Sequence, residues 1–328
     1  MTRIVLCYPV EPHHIAQIQA AAPQAEVIDA GQERVDAELP TADIFVGHAK
    51  VPVDWKRVVD AGRLKWIQSS AAGLDHCLVP EVIASDIVVS SAAGLFAPQV
   101  AEQTMALLYG CLRRLPVFWE AARRREFIRR PTDDLRGKTV GIVGLGGNGR
   151  KIAAALASMD VRMVATDYFP VDKPDCVDQL WPADRLGELM SVSDIVILAL
   201  PLNASTRGLI DASMLAKMPP GGYLINVARG QVVVEADLVA ALQSGHLAGA
   251  GLDVTEIEPL PTESPLWDMP QVIITPHVGA QSARRVDDTT DLVCENMHRY
   301  LRGENLWNQV DKGIGFAHPS KVWKPEKK

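Results

Sequence analysis

Three side chains with complementary chemistry each follow a short apolar run in the second half of the chain. Arg229 comes after residues 223–227, Glu258 shortly after 250–254, and His277 just after 272–275. If these runs are strands of one parallel sheet, their carboxyl ends bring the three side chains to a common rim. A planar guanidinium grips a carboxylate through paired hydrogen bonds and polarises the carbonyl beside it. An imidazole titrates near neutrality, so it gives a proton to a developing alkoxide and takes it back in the reverse direction. A carboxylate on the other ring nitrogen fixes the tautomer and favours the imidazolium. The set suits hydride transfer at the carbonyl of a 2-keto acid, with Arg229, Glu258 and His277 as the catalytic group. Each residue also has a plain structural reading: a surface ion pair for Arg229, a shaped loop for Glu258 before Pro259, and an ordinary core or surface histidine for His277. The argument rests on the three occurring together at strand ends.

Hydride chemistry needs a cofactor, and the chain has a segment built for one. The β-branched run Thr139–Val143 reads as a buried strand that breaks into Gly144-x-Gly146-x-x-Gly149 and then an Ala-rich helix. In such a loop the first glycine permits the tight turn and the second lets a pyrophosphate approach the backbone. The third lets the helix pack close to the strand, with its N-terminus toward the anion. A second strand-like run, 161–166, leads into Asp167, which lies 18 residues beyond Gly149. That is near the spacing of roughly 20 expected for an acid on a ribose 2′-hydroxyl. An acid there repels a 2′-phosphate, so the expected cofactor is NAD rather than NADP.

The elements that hold these groups follow from the pattern of apolar runs. Residues 138–276 alternate strand and helix, with strands expected at Thr139–Val143, 161–166, 195–200, 223–227, 250–254 and 272–275 and a helix over Glu235–Gln243 stopped by Gly245. Six strands with helical connections are the content of a doubly wound dinucleotide-binding sheet. The first 97 residues repeat the alternation on a smaller scale, with strands expected at 4–8, 25–28, 44–46, 64–67 and 87–89 and no second glycine loop. Two of its loops are candidate working surfaces. One holds Gly47-His48. The other runs from Ser69 through Ala72 and Gly73 to His76, where small residues expose backbone N–H groups to a carboxylate or, equally, simply permit a tight turn. A helix starting at Pro98 and an amphipathic stretch over 283–301 bracket the larger unit. The expected domains are therefore a discontinuous substrate-binding domain, 1–97 with 284–328, and a dinucleotide-binding domain, 98–283. No helix or strand is read into 312–328.

Bulk properties narrow the partners. A net charge of −7 argues against a nucleic-acid surface, and no apolar run approaches the length of a membrane span. The opening Met1-Thr2-Arg3 leads into a strand pattern, so no signal peptide is expected. Five scattered cysteines without CxxC spacing read as free thiols in a reducing cytoplasm, not as disulfides or a metal site. Eight arginines between Arg113 and Arg136 form a basic segment: either a solvated face, or an arm that docks on a second subunit and attracts anionic substrates.

Taken together the motifs resemble the D-isomer-specific 2-hydroxyacid dehydrogenases. The resemblance lies in the segments 141–149, 198–203 with Thr206, 224–230, and 251–254 through Glu258-Pro259 to Thr275-Pro276-His277. It implies a two-domain α/β fold, a Rossmann-type doubly wound parallel sheet inserted in a smaller flavodoxin-like domain, with the active site between them, and a homodimer. It implies that Arg229 binds substrate, that Glu258 orients the histidine, and that His277 is the acid–base. Gly144, Gly146, Gly147, Asn148, Gly149, Asp167, Leu200, Pro201, Thr206, Ala228, Asp253 and Gly279 would contact the cofactor, Asp253 at the nicotinamide carboxamide. His48, Ala72, Gly73 and Phe96 would join Arg229 around the substrate, a small anionic 2-keto or 2-hydroxy acid.

The chain departs from the family pattern at several points. Gly147-Asn148 replaces a common Arg-Ile, Phe96 stands where asparagine is frequent, and Phe127 where tryptophan is. Having Glu258 rather than glutamine sets the chain apart from formate dehydrogenases, and its length from the long phosphoglycerate dehydrogenases. The segment from Asp253 to Pro261 leans toward hydroxypyruvate/glyoxylate reductases. The family also contains NAD(H)-binding corepressors, which makes an interaction scaffold the alternative.

Overall fold

A computed structural model describes residues 1–323. Two compact units divide the chain: residues 1–96 together with those from 282 onward, and residues 97–281. The dividing points, 96/97 and 281/282, compare with 97/98 and 283/284 from the sequence.

The first unit holds strands β1 (Arg3–Cys7), β2 (Glu26–Asp29), β3 (Ile44–Gly47), β4 (Trp66–Ser69) and β5 (Val88–Ser90), with helices α1 (Pro12–Ala21), α2 (Gly31–Glu38), α3 (Trp55–Asp60) and α4 (Pro80–Ile83). The strands form one parallel sheet in the order β2-β1-β3-β4-β5. Ile44, Phe45 and Val46 are all fully buried because both faces of the sheet are covered.

The second unit contains α5 (Ala97–Leu112), α6 (Leu115–Arg123), β6 (Thr139–Val143), α7 (Gly147–Leu156), β7 (Arg162–Asp167), β8 (Gln179–Pro182) and α8 (Leu186–Val192). It continues with β9 (Ile195–Leu198), α9 (Ala212–Leu215), β10 (Gly222–Asn226), α10 (Glu235–Gln243), β11 (Leu247–Leu252) and β12 (Val272–Ile274). Its sheet is parallel throughout, in the order β12-β11-β10-β9-β6-β7-β8. Alternate residues of β9 serve opposite cores: Ile195 and Ile197 pack with α5 and α7, while Val196 and Leu198 pack with α8 and α10. The sheet is therefore doubly wound, and its strands are apolar on both faces.

Seven strands stand where the sequence suggested six. The addition, β8, is an edge strand whose residues are half-buried or exposed and which ends in a proline, so it lacks the apolar signature of its neighbours. The chain then returns to the first unit as α11 (Arg285–Leu301), which buries Val293, Cys294 and Met297 in a cluster with Ile18 and Ala21 of α1. A two-residue hairpin follows, β13 (Val310–Asp311) paired with β14 (Phe316–Ala317). This corrects the expectation of no strand over 312–328; pairing so short has no periodicity to read. Residues 324–328 of that stretch lie outside the described residues. Among the described residues, no helix is long and apolar enough to cross a membrane, and the five cysteines are free thiols.

Candidate active site

The three strands that precede the proposed catalytic residues, β10, β11 and β12, are contiguous in the sheet. Their carboxyl ends carry Arg229, Glu258 and His277 within the second unit. His277 Nδ1 lies 2.9 Å from Glu258 Oε2. An ionised carboxylate only accepts, so Nδ1 carries the hydrogen and Nε2 is left with a lone pair that takes up a proton. Burial pushes the Glu258 carboxyl up, but the His277 hydrogen bond and charge, the Thr255 N–H and the Arg229 guanidinium outweigh it. The net position is below the usual value for a glutamate. The charged form of Glu258 is thus favoured beside His277.

The loop that presents His277 is pinned by Asp253, which is 3% exposed. Asp253 accepts from the Thr275 hydroxyl at 2.6 Å and from the N–H groups of Val278 at 3.0 Å and Gly279 at 2.8 Å. Its carbonyl accepts the His277 N–H at 2.8 Å. His277 itself is left-handed, with φ 53°. A non-glycine residue adopts that backbone only where its surroundings over-determine it, and these bonds do so. Gly279 is required there because a Cβ would fall 2.7 Å from Asp253 Oδ2. On the neighbouring strand, the buried Asn226 shapes the arginine loop: it accepts the Ala228 N–H at 3.0 Å and donates to Arg229 O at 3.1 Å.

The glycine loop makes a tight turn and seats its helix closely on the strand. Gly144 has φ 93°, and a Cβ there would lie 2.8 Å from Ala199 O. A Cβ on Gly149 would fall 2.0 Å from Gly144 O, so the helix is seated on bare backbone. At Gly146, the N-cap of α7, a Cβ would meet nothing within 4 Å. The backbone is therefore approachable from outside, beside the N–H groups of Gly147 and Asn148 in the first turn, and the cradle fits a pyrophosphate. Asp167 accepts from Leu145 N–H at 2.6 Å and Phe169 N–H at 2.8 Å. Burial raises its pKa, and these two bonds and Arg150 offset only part of the rise. The loop after β9 packs on Gly144 at Leu200, and the Thr206 hydroxyl closes it by donating to Pro201 O at 2.7 Å.

In the first unit, His48 follows β3 and its ring stacks on His76, with centroids 3.9 Å apart. Ala72 is exposed and Gly73 half-buried in the turn after β4. The Ser69 hydroxyl braces that turn, donating to Ala71 O and accepting from Ala71 N–H, both at 3.1 Å. Phe96 is buried, and the Arg285 guanidinium lies 4.5 Å above its ring. Sequence reasoning gave no role to Asn226, Thr275, His76 or Arg285. Asn226 carried a signal, a polar residue closing an apolar strand; Arg285 carried none, since its partner is far away in sequence.

One cluster elsewhere has metal-like spacing: ligand atoms of His13, His14 and Asp287 lie within 4.8 Å of one another. His14 Nδ1 accepts the Glu11 N–H at 3.0 Å, which leaves its hydrogen on Nε2, toward Asp287 Oδ1 at 2.9 Å. A metal needs that lone pair bare, so the group reads as the cap of α1.

Comparison with known proteins bears on the same elements. Residues 105–279 match the sequence model described as "D-isomer specific 2-hydroxyacid dehydrogenase, NAD binding domain". The chain belongs to this family. It is 35% identical over 274 residues to a glyoxylate reductase from Thermofilum pendens, covering 80% of this chain and 79% of that one. It is 34% identical over 290 residues to a D-3-phosphoglycerate dehydrogenase from Mycobacterium bovis, covering 88% of this chain and 54% of that relative, so it spans about half that enzyme's length. Among solved structures, it is similar to an NADPH-dependent glyoxylate/hydroxypyruvate reductase from Sinorhizobium meliloti in complex with NADP and sulfate. That likeness has 30% identity and a TM-score of 0.81, covering 96% of this chain and all of that one. The second unit thus carries the family's NAD-binding domain, and the two-domain α/β architecture is the family's own.

Proposed function

We propose that this 2-hydroxyacid dehydrogenase family member reduces a small 2-keto acid to the D-2-hydroxy acid, and catalyses the reverse reaction, with NAD(H) as cofactor. The carrying observation is the 2.9 Å bond between His277 Nδ1 and Glu258, at the end of a strand neighbouring the one that presents Arg229. The second unit (98–283 by the sequence reading) is the dinucleotide-binding domain, and the first (1–97 with 284–328) binds substrate.

The bound nicotinamide supplies or accepts the hydride. Arg229 grips the substrate carboxylate and polarises the adjacent carbonyl. His277 Nε2 gives its proton to the carbonyl oxygen in reduction and recovers it in oxidation, while Glu258 holds the imidazolium in register. The N–H groups near Gly146, Gly147 and Asn148 hold the pyrophosphate. Leu200, Pro201, Thr206, Ala228, Asp253 and Gly279 line the remainder of the cofactor. Ala72 and Gly73 offer backbone N–H groups to the substrate, beside His48 and Phe96.

The test is NADH consumption against glyoxylate, hydroxypyruvate, pyruvate, bulkier keto acids and 3-phosphohydroxypyruvate. The expected result is turnover of at least one, lost in Arg229→Ala. Asp167 supports NADH over NADPH, and Asp167→Asn is expected to narrow that preference. A wild-type preference for NADPH would reverse the cofactor reading.

The family resemblance and the surface of α6 with the segment that follows it support a homodimer. Leu115 is 52% exposed, Trp119 71% and Phe127 92%, all among arginines. Single molecules rarely leave such side chains together in water. Light scattering is expected to give a dimer mass for the wild type and a monomer mass for a Trp119→Glu, Phe127→Glu double variant. A monomeric wild type at micromolar concentration would remove the proposal. Five free thiols, four of them buried, support a cytoplasmic setting.

A further inference from the structure

The chain beyond α11 has no part in the reaction proposed above, yet it grips the loop next to the proposed carboxylate-binding pair. β5 is the last strand of its sheet, and an antiparallel bridge from Ser90 to Gln309 covers that edge. Asn308 stands at the centre of this contact and is fully buried. Its backbone is left-handed, with φ 55°, a conformation asparagine tolerates better than most residues. Its backbone carbonyl accepts the Ser91 N–H at 3.1 Å. Its side-chain amide donates to Ser91 O at 2.9 Å and to Ala93 O at 3.1 Å, while Oδ1 accepts the Trp323 N–H at 2.8 Å. Both amide hydrogens are therefore committed to the loop that follows β5. Asn296 of α11 steadies the same segment, donating to Trp307 O at 3.0 Å and accepting the Trp307 N–H at 2.7 Å.

The grip is passed on through two peptide planes. A trans peptide is flat, with its C=O and N–H pointing opposite ways, and neither bond concerned is cis. Ser91 O, held by Asn308, shares a plane with the Ala92 N–H. That N–H donates to Ala71 O at 3.0 Å, and the Ser69 hydroxyl donates to the same carbonyl at 3.1 Å. Ala71 O in turn shares a plane with the Ala72 N–H, so fixing the carbonyl fixes the direction of that donor. Among the described residues the Ala72 N–H has no partner of its own, and Ala72 is exposed. Hydrogen bonds in such a chain also polarise one another, which makes the last donor stronger.

We propose that Asn308 is a positioning residue: through peptides 91–92 and 71–72 it aims and polarises the Ala72 N–H that receives the substrate carboxylate. This rests on the reaction proposed above and on substrate binding in the first unit. The residue type is demanded twice, by the left-handed backbone and by the need for two donors and an acceptor on one short side chain.

The test is steady-state reduction of glyoxylate, hydroxypyruvate and pyruvate by full-length wild type, Asn308→Gly, Asn308→Ser and Lys312→Met. Inhibition by oxamate, an unreactive carboxylate the size of pyruvate, reads binding alone. Glycine accepts the left-handed backbone, so Asn308→Gly removes the side-chain clamp without adding strain. It should raise KM and weaken oxamate roughly 10-fold, the share of one hydrogen bond to a charged group. A carboxylate is held equally before and during reaction, so kcat should stay within about threefold of wild type, and NADH affinity should be unchanged. Asn308→Ser keeps one side-chain donor and should give an intermediate KM, which reads the same split if Asn308→Gly does not fold. Lys312 anchors the same segment elsewhere, its ammonium donating to Val82 O at 3.1 Å and to Ser85 O. Lys312→Met should lower Tm and leave KM as it is. A folded Asn308 variant with wild-type KM and oxamate affinity overturns this assignment alone. So does an equal rise of KM in Lys312→Met, which marks general loosening, or a fall in kcat at unchanged KM. A wild-type protein that binds NADH and reduces none of the acids overturns the proposed reaction and this assignment with it.

Discussion

Replacing His277 by alanine is expected to lower kcat for keto-acid reduction by about 10²- to 10⁴-fold, the usual contribution of a positioned general acid. NADH affinity should stay within a few-fold of wild type. The size of the effect follows from the geometry. Nδ1 is committed to Glu258 at 2.9 Å, so Nε2 is the one ring nitrogen free to exchange a proton with substrate. The histidine side chain is 43% exposed, so alanine leaves no buried cavity, and a fall in kcat would not reflect unfolding. Glu258→Gln tests the same pair from the other side. The amide still accepts from Nδ1 but no longer offsets the imidazolium charge, so kcat should fall less steeply than in His277→Ala. If folded His277→Ala turns over at the wild-type rate, the acid–base assignment is wrong, whatever the substrate.

The parts of this site that were legible in the sequence are those whose physics is local. Thr139–Val143 has matching limits in sequence and structure because a run rich in β-branched residues meets a glycine, Gly144, whose φ of 93° no other residue readily adopts. Glu235–Gln243 likewise ends where Gly245 permits a left-handed turn. Strand limits drifted where side chains are small or exposed. β11 begins at Leu247 rather than residue 250, because Ala248 and Gly249 carry little apolar signal of their own. β9 stops at Leu198, two residues earlier than its apolar run, as the chain turns toward Pro201.

What the sequence could not express was distance. Gln103 donates to the Thr275 hydroxyl at 2.8 Å across 172 residues, and Thr275 in turn donates to Asp253. No spacing rule connects a residue of α5 to the loop of His277. Arg285 and Phe96 are separated in the same way. Both are unremarkable residues until the fold stacks one on the other.

The second large effect is expected at a residue with no reactive group. A Cβ on Gly230 would fall 1.8 Å from Thr255 O, 1.9 Å from its carbonyl carbon and 2.5 Å from Glu256 N. All three are backbone atoms, so no side-chain rotation relieves the clash, and the two loops must separate. One of them presents Arg229, the residue before Gly230. The other leads within three residues to Glu258, whose Oε1 accepts the Thr255 N–H at 3.3 Å. Gly230→Ala therefore moves Arg229, the proposed substrate-binding cation, away from Glu258, the carboxylate bonded to His277. A displacement of about 1 Å in such a set costs on the order of 100-fold in rate, and forced overpacking costs about 1–3 kcal/mol of stability. The expected result is a fall in kcat/KM of roughly 100-fold with a lowered Tm. NADH binding should be largely kept, because the glycine loop at Gly144–Gly149 lies in other elements of the sheet. If Gly230→Ala keeps kcat/KM within threefold of wild type, the close approach of the two loops does not set the geometry of the catalytic group, and Arg229 and Glu258 must be positioned independently.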